Sequence, residues 1–286
     1  MNNANAENQD FAVISIDKLR LPTISNECMQ VLDMLSEGDV DLPKITKIIG
    51  MDAVLSATVI KYANSPLYRR SNAINTVHLA VSLLGIKNVT AAVMMATMKS
   101  FSSNKTWIDG NIWEHNIAIS TLCKVIASKT FPETADEMEL IGLLHDMGAL
   151  ILSANYGQGY IELYNKSCEQ GIPLDELEMI TYGYNRDDVM DKIAGDFRLP
   201  DDIKNIVCNF HKLNPVTDLE STANKHNLIL SLAHYIESQR PEKQQSILET
   251  VVDYTTFKPN PLGYTDEELE QLVNDCEGYI AERMSI

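Results

Sequence analysis

Apolar positions recur at helical spacing along almost the whole chain. After Leu21-Pro22, the residues Ile24, Cys28, Val31, Leu32 and Leu35 mark one face of a helix that Gly38 stops. Asp41-Leu42-Pro43 opens a second helix with Ile45, Ile48 and Ile49 inward. Asp52 is an N-cap residue for a third helix that carries Leu55, Val59, Ile60 and Ala63. Asn64-Ser65-Pro66 ends it, because the residue before proline avoids helical angles. Ile74 to Leu84 reads as a short helix closing at Gly85, and Lys87 to Phe101 as a longer one. Its Met94, Met95 and Met98 fit a closely packed core, with an adaptable partner groove as the alternative. Ser102 to Gly110 is polar and holds an Asp-Gly turn, which sets the boundary between two helical lobes.

The second lobe starts with a helix from Ile112 to Ser128, broken by Phe131-Pro132. Leu140 to Leu152 then reads as one helix, apolar on nearly every side, as expected at the centre of a core. Thr134-x-x-Glu137 supplies a capping-box signature for its start. Further helices are expected at Tyr156–Leu163, Leu174–Tyr182 and Asp187–Phe197, with a turn at Gly171-Ile172-Pro173. Leu199-Pro200-Asp201 restarts a helix running to His211, and Asn224 to Ser238 is a long helix. Thr265-x-x-Glu268 caps an amphipathic helix with Leu269, Leu272, Val273 and Ile280. No strand pattern and no fixed-period repeat is present. The expected fold is all-α: a disordered stretch at 1–14, one lobe to about residue 106, and a second from about 107 to 213. Helices within 214–286 complete or extend that second lobe.

Charge narrows the possible partners. The net charge of −17 repels nucleic-acid backbones, which leaves protein partners and small ligands. Cys28, Cys123, Cys168, Cys208 and Cys276 are odd in number and lack a C-x-x-C pair, which fits reduced thiols in the cytoplasm. Met1 to Asp10 has no apolar stretch, so neither a signal peptide nor a membrane anchor is expected there. Leu140 to Ala154 is too short and interrupted to span a bilayer. No sensor or receiver domain is expected on the chain, so its input arrives by binding. An apolar patch on the C-terminal helices would favour an oligomeric scaffold.

Chemistry concentrates on His115, His145-Asp146, His211 and His234, which lie on separate expected helices. A carboxylate inside an apolar helix is costly unless a cation or donors compensate it. Neighbouring helical residues point about 100° apart, so His145 and Asp146 reach one ion only over the helix edge. Such a site suits Fe, Mn, Zn or Mg. The alternative is a structural pair, with Arg186 as the charge partner of Asp146 and His211 and His234 as ordinary helix residues.

Leu143-Leu144-His145-Asp146-Met147-Gly148, with Trp113-Glu114-His115 upstream, resembles the HD superfamily of metal-dependent phosphohydrolases. The order of Leu21-Pro22, Val59–Tyr68, Ala80–Gly85, Gly142–Gly148, Leu199–Ile203 and Phe210-His211 is similar to its output-domain branch, the HDOD family. That resemblance covers Leu19 to Leu213 and implies an all-helical bacterial signalling or regulatory module, generally without catalysis. His115, His145 and Asp146 match three of the four minimal metal ligands of active relatives. The distal Asp falls at Ala233-His234, an additional His falls at Arg186, and His211 survives from a histidine pair whose first member is Phe210. The implied site is degenerate: a regulatory module binding a protein or small ligand comes first. A metal-dependent phosphohydrolase using His115, His145, Asp146 and either His211 or His234 comes second, with Lys212 and Arg186 to receive phosphate.

Overall fold

Side-chain caps set where most of these helices begin. The computed structural model of the chain describes residues 13–284 apart from 22–23, 37–40, 70–72, 102–105, 198, 211–221 and 241–261. The chain opens with α1 (Asn26–Ser36), α2 (Leu42–Met51), α3 (Ala53–Ala63) and α4 (Val77–Phe101). Asp41 accepts from the Lys44 amide at 3.1 Å, and Asp52 accepts from the Val54 and Leu55 amides at 2.9 and 3.0 Å. Both carboxylates satisfy amides that the first helical turn leaves without partners. Gly85 interrupts α4 at φ 68°, a conformation that glycine adopts without steric cost. Val77–Lys99 is long and apolar enough to cross a membrane by length and composition. In this fold Val89, Ala91–Met95 and Met98 are fully buried, and α4 packs against α1, α2, α3 and α6 (Ala135–Leu144).

The chain continues with α5 (Trp107–Thr130), which precedes α6, then α7 (Met147–Tyr156), α8 (Gln158–Gln170) and α9 (Leu174–Tyr182). It closes with α10 (Arg186–Asp196), α11 (Asp201–Val207), α12 (Thr222–Ser238) and α13 (Asp266–Met284). Every regular element among the described residues is helical, as the periodicity predicts. α5 is the axis: α6, α12 and α13 all pack on it. The Thr265–Glu268 box forms, with both reciprocal bonds at 2.8 and 3.2 Å.

Four local expectations are corrected. Asp109-Gly110 is not a turn: Thr106 and Asp109 exchange capping bonds at 3.2 Å, so α5 starts before them and Gly110 lies inside its first turn. The box at Thr134 does not form. Thr134 is itself helical and donates to the Phe131 carbonyl at 2.9 Å, while Glu137 takes the Lys87 ammonium at 2.6 Å. The helix after Pro200 ends at Val207, and His211 lies outside the described residues, as do residues 1–12 of the expected disordered stretch. The apolar run Leu140–Leu152 is two helices, α6 and α7, which break at His145-Asp146.

That break is fixed by close backbone contacts on both sides. A Cβ on Gly142 would lie 2.8 Å from the Ser120 Cα, where α6 crosses α5. A Cβ on Gly148 would lie 2.0 Å from the Arg186 carbonyl oxygen, where α7 meets α10. Asp146 sits between them at φ −114°, ψ 21°, outside helical geometry. A buried carboxylate on α6 ties distant parts of the chain together. Glu139 accepts from Tyr62 at 2.5 Å, from Tyr68, and from Arg283 Nη1 at 3.0 Å. Arg283 Nη2 also donates to Tyr62 at 2.9 Å, so α3, α6 and α13 share one polar knot.

Gly148→Ala should cost about 3 kcal/mol of unfolding free energy by overpacking. Gly110→Ala, where a Cβ meets open space, should gain about 0.5–1 kcal/mol from helix propensity. Urea unfolding followed by circular dichroism measures both, and equal effects would contradict the close contact at Gly148.

Candidate metal centre

The break between α6 and α7 turns His145 and Asp146 toward α5 and α12. His115 reaches the same point from α5 and His234 from α12, so three imidazoles offer nitrogens within 4.8 Å of one another. His115, His145 and Asp146 are at most 2% exposed, and His234 is 4% exposed. The His234 ring lies 5.0 Å from that of His115 and 4.8 Å from that of His145, so it belongs to the cluster. Phe210 stacks on His234 and meets His145 edge-on, adding an apolar cover.

Hydrogen-bond chemistry fixes the ring tautomers. A carbonyl only accepts, so His145 Nδ1–H donates to Gly142 O at 2.8 Å, which leaves the lone pair on Nε2. The Glu237 carboxylate lies 2.6 Å from His115 Nδ1, which therefore carries that ring's proton. The two Nε2 atoms then face each other at 3.1 Å. Asp146 Oδ2 completes a triangle, 3.5 Å from His115 Nε2 and 3.4 Å from His145 Nε2. Ligands of one tetrahedral ion, at bonds of about 2.0–2.1 Å, are separated by about 3.3 Å. The donor set therefore fits one divalent first-row ion, with His234 as the neighbouring imidazole. Burial pushes the His145 imidazole below its ordinary range, an effect that Asp146 partly opposes. A neutral ring is the ligand form.

Arg186 stands beside this centre and answers another acid. Its Nε and Nη2 donate to Glu178 at 3.2 and 2.8 Å, and its own amide donates to the same carboxylate at 2.9 Å. Tyr160 adds a bond to Glu178 at 2.6 Å. The nearest guanidinium nitrogen lies 3.7 Å from Asp146 Oδ1, an ion-pair distance too long for a hydrogen bond. Arg186 is thus a charge partner of Asp146 at ion-pair distance, while its hydrogen bonds go to Glu178, which holds the bidentate geometry. Glu237, which orients His115, escapes a search for His and HD motifs. Its signal was present nonetheless, as an acid one turn beyond His234 on a helix with an apolar core face. Arg240 supports it at 3.9 Å and is itself held by Glu277 of α13 at 2.6 Å.

A family model described as the HDOD domain matches residues 21–213. Among solved structures, an HDOD domain protein of unknown function from Geobacter sulfurreducens aligns at a TM-score of 0.64 and 21% identity, covering 93% of this chain and 92% of the other. A candidate phosphohydrolase from Shewanella amazonensis SB2B aligns at a TM-score of 0.71 and 18% identity, covering 94% and 95%. A candidate signal transduction protein from Marinobacter aquaeolei VT8 aligns at 0.68 and 20% identity, covering 94% and 61%. At these identities the structures establish the shared fold. Two curated relatives, both described as uncharacterized, match at 21% identity over 198 residues (Treponema pallidum strain Nichols) and 27% over 123 residues (YuxH of Bacillus subtilis strain 168). The aligned parts span only 38% and 30% of those two proteins.

Glu237→Gln removes the charge that holds the His115 tautomer while keeping the side-chain volume. Affinity for Zn or Mn, measured by competition with a chromogenic chelator, should fall about 10–100-fold. An unchanged affinity would separate Glu237 from the centre.

Proposed function

The chain belongs to the HDOD domain family, and on that premise we propose that it is a cytoplasmic signal-transduction module that works by binding a protein or small ligand. In this reading His115, His145, Asp146 and His234 hold a divalent ion that fixes the junction of α5, α6, α7 and α12. Such an ion supplies positive charge to converging lone pairs and a carboxylate, and it is a Lewis acid toward any oxygen that reaches it. The supporting observation is closure. The donors are almost wholly buried, and Phe210 packs over two of the rings. The adjacent cation, Arg186, is spent on Glu178, which removes a group suited to a phosphate; Lys212 lies outside the described residues.

The second reading is a metal-dependent phosphohydrolase. It uses the same triangle of donors at 3.1–3.5 Å, with the ion as Lewis acid toward a phosphate oxygen. In that case a phosphate ester would need access to the ion past Phe210, and Arg186 would have to leave Glu178.

Elemental analysis of the protein purified without added metal, beside Asp146→Ala, separates the two when combined with assays on p-nitrophenyl phosphate and bis(p-nitrophenyl) phosphate. The regulatory reading expects a metal that Asp146→Ala loses, with no turnover above that variant's background in the presence of Mn, Fe or Zn. Turnover abolished by both Asp146→Ala and His145→Ala would establish the enzyme instead.

A further inference from the structure

Residues 13–21 cross the second lobe as a strap with one 3-10 turn, Ile16–Lys18, and they are gripped by their main chain. The Ile14 amide donates to the Tyr156 hydroxyl at 3.2 Å, and the Tyr184 hydroxyl donates to the Ile14 carbonyl at 2.7 Å. The two hydroxyls lie 2.7 Å apart. Both hydroxyls reach the Ile14 carbonyl, Tyr184 at 2.7 Å and Tyr156 at 3.4 Å, so the two tyrosines enclose one peptide residue. Asn155 repeats the pattern at Arg20. Its Oδ1 accepts from the Arg20 amide at 2.8 Å, and its Nδ2 donates to the Arg20 carbonyl at 3.0 Å. Tyr182 stacks on Tyr156 at 3.9 Å and holds that ring in place.

Side chains of the strap add to this grip: Arg20 Nη2 donates to the Ala154 carbonyl at 3.3 Å, and Asp17 pairs with Lys192 at 2.9 Å. Leu19 is buried, and Ile14, Ile16 and Leu21 are partly buried, while Val13, Ser15, Asp17, Lys18 and Arg20 are exposed. The receptor thus reads main chain at two points and apolar side chains spaced as Ile-x-Ile-x-x-Leu. It also touches the framework of the metal centre. Asn155 and Tyr156 end α7, which begins directly after Asp146. Tyr184 lies two residues before Arg186, whose carbonyl rests on Gly148.

We propose that Asn155, Tyr156 and Tyr184 form a peptide-binding clamp, filled at rest by residues 13–21, and that a segment of a partner protein with the same single turn displaces this strap. The proposal rests on the reading of the chain as a binding module and names its partner class. An identical strap from a second copy has no advantage over the tethered one, whose effective concentration is in the millimolar range. A foreign segment whose side chains fill the Ile14, Ile16 and Leu19 positions better does have one. Exchange of the strap would reach the centre through α7 and through the turn that carries Arg186.

The test uses the full chain and a fluorescein-labelled peptide of residues 13–21. Ile14→Ser with Leu19→Ser loosens the strap and leaves the clamp intact. Fluorescence anisotropy should then show the peptide binding at least tenfold more tightly than to the unaltered chain, and adding Asn155→Ala and Tyr184→Phe should abolish it. A loosened variant that is folded by circular dichroism yet binds no peptide at millimolar concentration overturns the clamp. If that variant does not fold, amide hydrogen exchange decides on the single substitution Tyr156→Phe. Faster exchange at Ile14 supports the clamp, and unchanged exchange overturns it. A dimer formed by swapping straps between copies overturns the partner assignment. Metal content is read separately, so peptide binding without metal would sink the ion and leave the clamp standing.

Discussion

Two imidazole lone pairs meeting at 3.1 Å in a dry interior repel each other unless a positive charge lies between them. Much of the second lobe is arranged to hold that unfavourable geometry. Glu237 fixes the proton of His115 on the outer nitrogen, and Gly142 does the same for His145. Arg240 and Glu277 extend the support of Glu237 to α13. Asp146 brings a third donor from the point where helical geometry gives way. Each support removes freedom from a donor, so for an ion held as proposed above the cost of assembling the set would be met during folding. This is how a fold converts chain stability into affinity.

Most of the architecture was legible in the sequence because helix faces repeat, and repetition survives tertiary detail. Asp52 and Thr265 cap as expected because their neighbours leave them free to do so. Thr134 has the same signature and fails, since Lys87 from α4 claims Glu137, a competitor that no local window contains. The break at His145-Asp146 escapes periodicity for a different reason. α6 and α7 are buried on nearly every side, so the apolar run continues unbroken across a change of direction. Contact with Arg186, nearly forty residues later in the chain, sets the geometry at Gly148.

The centre itself was partly legible. The order of His115, His145 and Asp146 carried the chemistry, and His234, which composition alone treats as an ordinary helix residue, stands in the cluster. The resemblance puts Arg186 at a ligand position, which makes its charge a candidate answer to Asp146. Glu178 offers Arg186 a bidentate partner and a backbone acceptor together, and that geometry wins over a single contact at 3.7 Å. Pairings of this kind depend on three-dimensional distance, which spacing along a helix does not encode.

The knot of Tyr62, Glu139 and Arg283 also bears on how the chain is made. Tyr62 and Arg283 are 221 positions apart, so a ribosome adding about 5–20 residues per second takes roughly ten to forty seconds to supply the second after the first. From its own synthesis until Arg283 follows, Glu139 lacks its guanidinium partner and the α5 surface that α13 will cover stays bare. The nascent chain thus passes through a stage with an apolar face open and a carboxylate waiting inside, and the knot closes only when α13 arrives.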